Sequence, residues 1–197
     1  MPFFTDMHRK GKPMKKSKKT SAIISLTVTA ICIALCIVLP MAFHAIPNAG
    51  SILSPMHIPV LLCGLTCGPV YGLICGILGP LLSSILTGMP VSAMLPPMMV
   101  ECAVYGFTSG LLFKIIRTKK IYLNLYISLI GAMLLGRIVA GIARALFFAK
   151  GTYAIKIWAT SYFVTALPGI ILHLIVIPTL VFALMKAKLI PNQIKDE

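Results

Sequence analysis

Acidic side chains are almost missing from this sequence. Four Asp and Glu stand against eighteen Lys and Arg, and three of the four, Asp6, Asp196 and Glu197, sit at the chain ends. Glu101 is the single acid in the body of the chain, which excludes mechanisms that need two convergent carboxylates. Charged residues of all kinds make up 11% of the chain, against roughly 25% in soluble domains. Water is therefore not its main solvent. The sequence also lacks a GxxxxGK[ST] phosphate loop, an HExxH metal pair and a GxSxG nucleophile elbow, so an enzyme is not expected. Six cysteines are present (Cys32, Cys36, Cys63, Cys67, Cys75, Cys102), but none forms a CxxC pair and none has the histidine neighbours of a zinc site. All fall inside apolar runs, where a free Cys packs as a small hydrophobe. No cofactor or metal is expected on this chain.

What is present is apolar length. Hydrophobic residues account for 58% of the 197 positions, and mean hydropathy is +0.97. Apolar runs cover about 20–43, 57–87, 92–116, 121–149 and 158–185. The first is longer than the roughly 7–15 apolar residues of a secretory leader, and a cut after Ala45 would put Phe43 where a small residue is needed. It is read as a retained span. The run 57–87 is long for one helix across a core that needs roughly 20 residues, and short for two. Gly68-Pro69 at its middle marks a turn.

Basic residues decide between the two counts, because cytoplasmic loops collect them. Seven lie within the first nineteen positions, a block that directly abuts an apolar span and so reads as a membrane-surface anchor rather than a nucleic-acid patch. Counting 57–87 as a hairpin puts that block, the group Lys114, Arg117, Lys119 and Lys120, and the tail lysines Lys186, Lys188 and Lys195 on one side. Only Lys150 and Lys156 face the other way. The expected fold is all-α: an integral membrane bundle of six transmembrane helices with both termini cytoplasmic. It divides into a basic tail 1–19, a membrane domain 20–186 and a tail 187–197. The segment 44–56 is expected to complete the short second span at its outer end. Gly64, Gly68, Gly72 and Gly76 recur at every fourth position, as in closely packed membrane helices.

Charged groups at membrane depth mark sites or pairs, and three occur: Glu101, Arg137 and Arg144. With about 1.5 Å of rise per residue, Glu101 lies about 10 Å below the outer edge, Arg144 about 6 Å and Arg137 about 17 Å. Arg137 and Arg144, seven residues apart, share a helix face with Gly141 between them. Met94, Met98, Glu101, Tyr105 and Thr108 form one stripe, and Trp158, Tyr162, Thr165 and Gly169 another, followed deeper by His173. His57 opens the second span at the same outer level. Together these residues suggest an outward-facing cavity for a small organic ligand. Two guanidiniums against one acid would favour a carboxylate or phosphate on it. The structural alternative makes Glu101 and one arginine a bundle clamp, with Arg144 reaching the headgroups, His173 packed, and Trp158 and Tyr162 serving as interfacial aromatics.

Four segments add a resemblance. Ala30-Ile-Cys-Ile-Ala34, Ser54-Pro-Met-His-Ile-Pro-Val60, Leu82-Ser-Ser-Ile-Leu-Thr-Gly-Met-Pro90 and Gly136-Arg-Ile-Val-Ala-Gly141 together make residues 20–186 similar to the substrate-binding S components of energy-coupling factor (ECF) vitamin transporters. The resemblance implies a binder in a bacterial plasma membrane that captures a vitamin or cofactor precursor from outside. It also implies docking on a membrane scaffold subunit and two cytoplasmic ATPases, so that ATP is used by partners and not by this chain. By position, Ala30 and Ala34 would form the face against the scaffold, and the loop 44–56 would help cover the substrate. Pantothenate, pyridoxine-like compounds, folate, thiamine precursors and queuosine precursors all remain open as ligands. Two other classes compete: a proton-coupled carrier in which Glu101 titrates, and a membrane interaction protein with no small ligand.

Overall fold

A computed structural model describes residues 18–43, 49–116, 118, 120–145, 158 and 160–187. The chain is helical wherever it crosses the apolar layer, as it must be where no water is at hand to satisfy backbone groups. Helix α1 spans Lys18–Ala42, and a short α2, Ala49–Leu53, precedes α3, His57–Cys67. Then come α4, Pro69–Thr87; α5, Leu95–Ile115; and α6, Ile121–Ala143. A π-helical turn, Thr160–Thr165, leads into the last helix, α7, Leu167–Lys186.

The run 57–87 is a hairpin of two helices. Gly68 sits between them at φ 97°, a conformation that L side chains avoid. Pro69 opens α4 at a position where its missing N–H leaves no bond unmade. Gly88 closes α4 in the left-handed region, with its N–H bonded to the Ser84 carbonyl. Among the described residues, five helices are long and apolar enough to cross a membrane. The eleven-residue α3 reaches only about 16 Å, and α2 with the turn at Ser54–Met56 extends it at the end where the chain enters. The result is a membrane bundle of about six helices. The α1 and α3 helices meet at Thr29 and Cys63 and again at Cys36 and Met56, so they run antiparallel. Successive helices alternate, and the start of α1 and the end of α7 fall at the same end of the bundle.

The centre of the bundle is α5, packed against α3, α4 and α6. Its contact with the hairpin is a seam of small residues. A methyl group added to Gly72 would lie 2.6 Å from the Gly106 carbonyl carbon, and one on Gly76 would lie 2.5 Å from that of Cys102. Gly64 and Gly110 meet the facing backbone in the same way. In lipid, where apolar burial no longer drives helices together, such close backbone approach is a main source of association. Buried thiols line the second seam, where Cys32 and Cys36 of α1 neighbour Cys63 and Cys75 of the hairpin. The six cysteines are free thiols.

One expectation on element limits changes, and another falls partly outside the described residues. The run 158–185 is not one regular helix, since α7 begins at Leu167 after the π-helical turn. The fifth span is described as α-helix only to Ala143, and residues 146–157, with Lys150 and Lys156, lie outside the described residues. So do residues 1–17, 44–48, 117, 119 and 188–197, which carry most of both tails and part of the 44–56 loop.

Candidate functional site

At the end of the bundle where α3, α5 and α7 begin and α6 finishes, the helices leave a cavity of about 300 Å³. Gly50 of α2, Ser54 of the following turn and His57 form one wall. Met94, Pro97, Met98 and Glu101 supply the α5 side. Arg137 and Arg144 close the α6 side, and Thr165 and Ala166 the approach to α7.

A relay of three polar side chains crosses the floor. Arg137 donates through Nε to the Tyr105 hydroxyl at 3.1 Å, and Tyr105 donates to Glu101 Oε1 at 2.8 Å. The direction is fixed by chemistry, because a guanidinium cannot accept, so the single phenolic proton is left for the carboxylate. The tyrosine also settles a depth mismatch. Glu101 and Arg137 differ by about 7 Å in expected depth, and Tyr105, one helical turn further along α5, makes up about 6 Å of it. All three are buried, with Arg137 only 2% exposed. Gly136 makes the arrangement possible, since a methyl group there would strike the Tyr105 ring.

Further groups hold the relay in place. The Arg137 guanidinium lies 5.8 Å from the centre of the Phe163 ring, a cation–π distance. Trp158 stands edge-on to Phe163 at 5.4 Å and donates from Nε1 to the Arg137 carbonyl at 3.2 Å. His57 meets the Tyr105 ring edge-on at 4.9 Å and faces His173 at 6.0 Å. His173 Nε2 lies 3.3 Å from the Ser54 carbonyl. Ser54 has φ 46°, uncommon for a residue with a side chain, and this turn is also gripped by Gly169, where a methyl group would sit 2.6 Å from the Ile52 carbonyl oxygen.

The site is incomplete in hydrogen bonds. Arg137 Nη1 and both ring nitrogens of His57 are buried without a partner. Each such orphan costs about 1–3 kcal/mol, and both residues line the cavity. Among the described residues, no group of three or more His, Cys, Asp or Glu is placed to hold a metal ion.

Residues 25–181 match the family described as ECF transporter, substrate-specific component. The chain belongs to this family. No curated protein and no solved structure matches it. As an S component it is a multi-pass membrane protein that binds a transported substrate and is not an enzyme. Membership also implies association with an ECF module whose other subunits use ATP.

In this S component the site residues expected from sequence fall into three groups. His57, Glu101, Arg137 and Arg144 come together around the cavity. Tyr105 lies beneath them and joins Arg137 to Glu101. Gly141 and Trp158 act on each other: the indole occupies the space above Gly141, with its Cε2 2.9 Å from where a methyl group would be. The room on that face of α6 is therefore filled by Trp158 rather than left open. The side chain of Tyr162 lies outside the described residues. Ala30 and Ala34 are exposed on α1, on the side away from buried Cys32 and Cys36. Sequence reasoning passed over Ser54 and Phe163 as site residues. The Ser54-Pro55 step was a visible turn signal, whereas nothing local distinguishes Phe163 from other apolar residues.

Proposed function

We propose that this S component captures a vitamin or cofactor precursor from outside a bacterial plasma membrane and holds it in the cavity above the Arg137–Tyr105–Glu101 relay. The observation that carries this reading is the set of orphaned polar atoms on a cavity that Met94, Pro97, Met98 and Ala166 also line, a mixture of polar and apolar groups that suits a small organic ligand. Orientation follows from the basic residues: the cavity lies at the end opposite the N-terminal block and the 114–120 group, and so faces outward. His57, Glu101, Arg137 and Arg144 contact the ligand, while Tyr105, Gly141 and Trp158 shape and brace the site.

Energy comes from a scaffold subunit and two cytoplasmic ATPases. Docking uses the α1 face with Ala30 and Ala34, where small exposed side chains allow a partner helix to approach closely. The test is uptake of the bound compound by proteoliposomes containing this chain with and without the module and ATP. Uptake only with both supports the reading. One observation favours a second reading, a proton-coupled carrier: Glu101, an ionisable acid, lines the cavity. A carrier would transport without the module, collapse a pH gradient as it did so, and lose both activities on Glu101→Gln.

A further inference from the structure

The lining of the cavity specifies more than a small molecule. Two guanidiniums, Arg137 and Arg144, face one carboxylate, Glu101. The lining is positive by about one charge if Glu101 is ionised and by about two if it is protonated, so its sign does not depend on that proton. Such an excess favours an anion.

The orphaned atoms refine this. Arg137 Nη1 can only donate, so it needs an acceptor. A neutral His57 ring presents one donor and one acceptor, and both nitrogens are unpartnered. The two nitrogens point to opposite sides of the ring, so one hydroxyl or amide on a guest matches one of them, as donor or as acceptor. Size is the third constraint. A volume of about 300 Å³ is at the small end of ligand pockets and equals the share of roughly ten liquid waters. Pro97 and the thioether side chains of Met94 and Met98 offer an apolar wall to the remainder of the guest.

We infer that the site takes a compact monocarboxylic acid bearing a hydroxyl or amide group, with the carboxylate on the arginines and the second group on His57. This rests on the reading of the chain as a substrate binder. With Glu101 ionised, a single carboxylate balances the lining and a phosphate monoester overshoots it; with Glu101 protonated, the carboxylate still leaves no negative excess. A neutral or cationic ring would leave Arg137 Nη1 facing no anion. The small volume favours a compact acid over one of folate size.

The experiment has two arms on the full chain purified in detergent. In the first, the compound that co-purifies is released by denaturation and its acidic groups are counted by mass spectrometry before and after methyl esterification. In the second, binding of four probes is followed by calorimetry: pantothenate, a small hydroxy-amide carboxylate; panthenol, the same skeleton with an alcohol in place of the acid; pyridoxine, small and neutral; and folate, acidic but far larger. The expected result is a released compound with one carboxylate and no phosphate, and pantothenate binding at least tenfold tighter than the other three. Arg144→Gln should weaken pantothenate at least tenfold and weaken panthenol much less. Arg137→Lys, which keeps the charge in the buried relay, should weaken it less than Arg137→Gln.

A released compound without a carboxylate, or a probe order led by panthenol or pyridoxine, overturns the inference and leaves the binder reading intact. Full affinity for the acid in both Arg144→Gln and Arg137→Gln overturns it as well. Should nothing co-purify and no probe bind, the binder reading itself fails and takes the inference with it.

Discussion

The seam between the α3–α4 hairpin and α5 and the cavity at the end of the same helices obey opposite rules. Along the seam, glycine backbones touch, and each buried hydroxyl bonds back to its own helix: Thr66 to the Leu62 carbonyl at 2.7 Å and Ser109 to that of Gly106 at 3.2 Å. Nothing there asks for a partner. Two turns along α5, the helices part, large side chains replace glycine, and polar atoms are left unpaired. One helix thus carries a finished contact at Gly106 and Gly110 and an unfinished one at Glu101. The rigid half supplies the precision with which the open half is held, as expected of sites built on packed elements rather than loops.

The sharpest way to break this contrast is to put bulk into the seam. Gly72→Leu should prevent folding, and Gly72→Ala should cost about 3 kcal/mol or more, because the clash is with backbone that cannot turn aside. Recovery of monodisperse protein and its melting temperature are the readouts; a normal melt for Gly72→Ala would mean that the seam has slack.

Next in size is the cavity itself. Arg137→Gln should lower affinity for the co-purified compound by a factor of ten to a hundred or so, the loss of a charge-assisted hydrogen bond worth about 1.5–3 kcal/mol. Titration of the stripped protein measures it. Tyr105→Phe comes third. It removes the bridge but leaves the shape, so the Arg137 Nε–H and Glu101 Oε1 lose their partner. Stability should fall by about 1–3 kcal/mol, with a smaller effect on binding than Arg137→Gln; a larger one would make Tyr105 a contact residue and not a brace.

Smaller still is the seam of thiols. Cys36→Ala should cost on the order of 1 kcal/mol through a slightly emptied contact and leave ligand affinity unchanged. The last prediction touches neither region. Ala30→Leu with Ala34→Leu should leave stability and binding at wild-type values while abolishing co-purification with the ECF module. Unchanged co-purification would move the docking surface elsewhere.

Much of this was readable from residue order because lipid simplifies the grammar. Apolar length and the placement of lysine and arginine give the number of passes, and the glycines at every fourth position mark a close contact before the partner helix is known. The depth rule brought Glu101, Arg137 and Arg144 to the outer half of the membrane, and helical spacing gave each a face. What periodicity cannot give is the identity of the neighbour. Tyr105 and Glu101 share a stripe on α5, but that the hydroxyl would reach Arg137 depends on how α5 and α6 cross. Gly141 signals space without saying that Trp158 would fill it. The π-helical turn at Thr160–Thr165 breaks the regular α-helical spacing ahead of α7, which a stripe drawn from Trp158 to Gly169 does not foresee. Phe163 enters the site through that same turn.

The account turns on whether the unpaired atoms are the ligand's own seat, and a structure of the chain determined with its co-purified compound tests this most directly. The expected result is a small molecule in the cavity beside Met94 and Met98, hydrogen-bonded to Arg137 Nη1 and to a ring nitrogen of His57, with the relay to Tyr105 and Glu101 intact. A compound bound elsewhere, with Arg137 and His57 still unpartnered or satisfied by water alone, would contradict it.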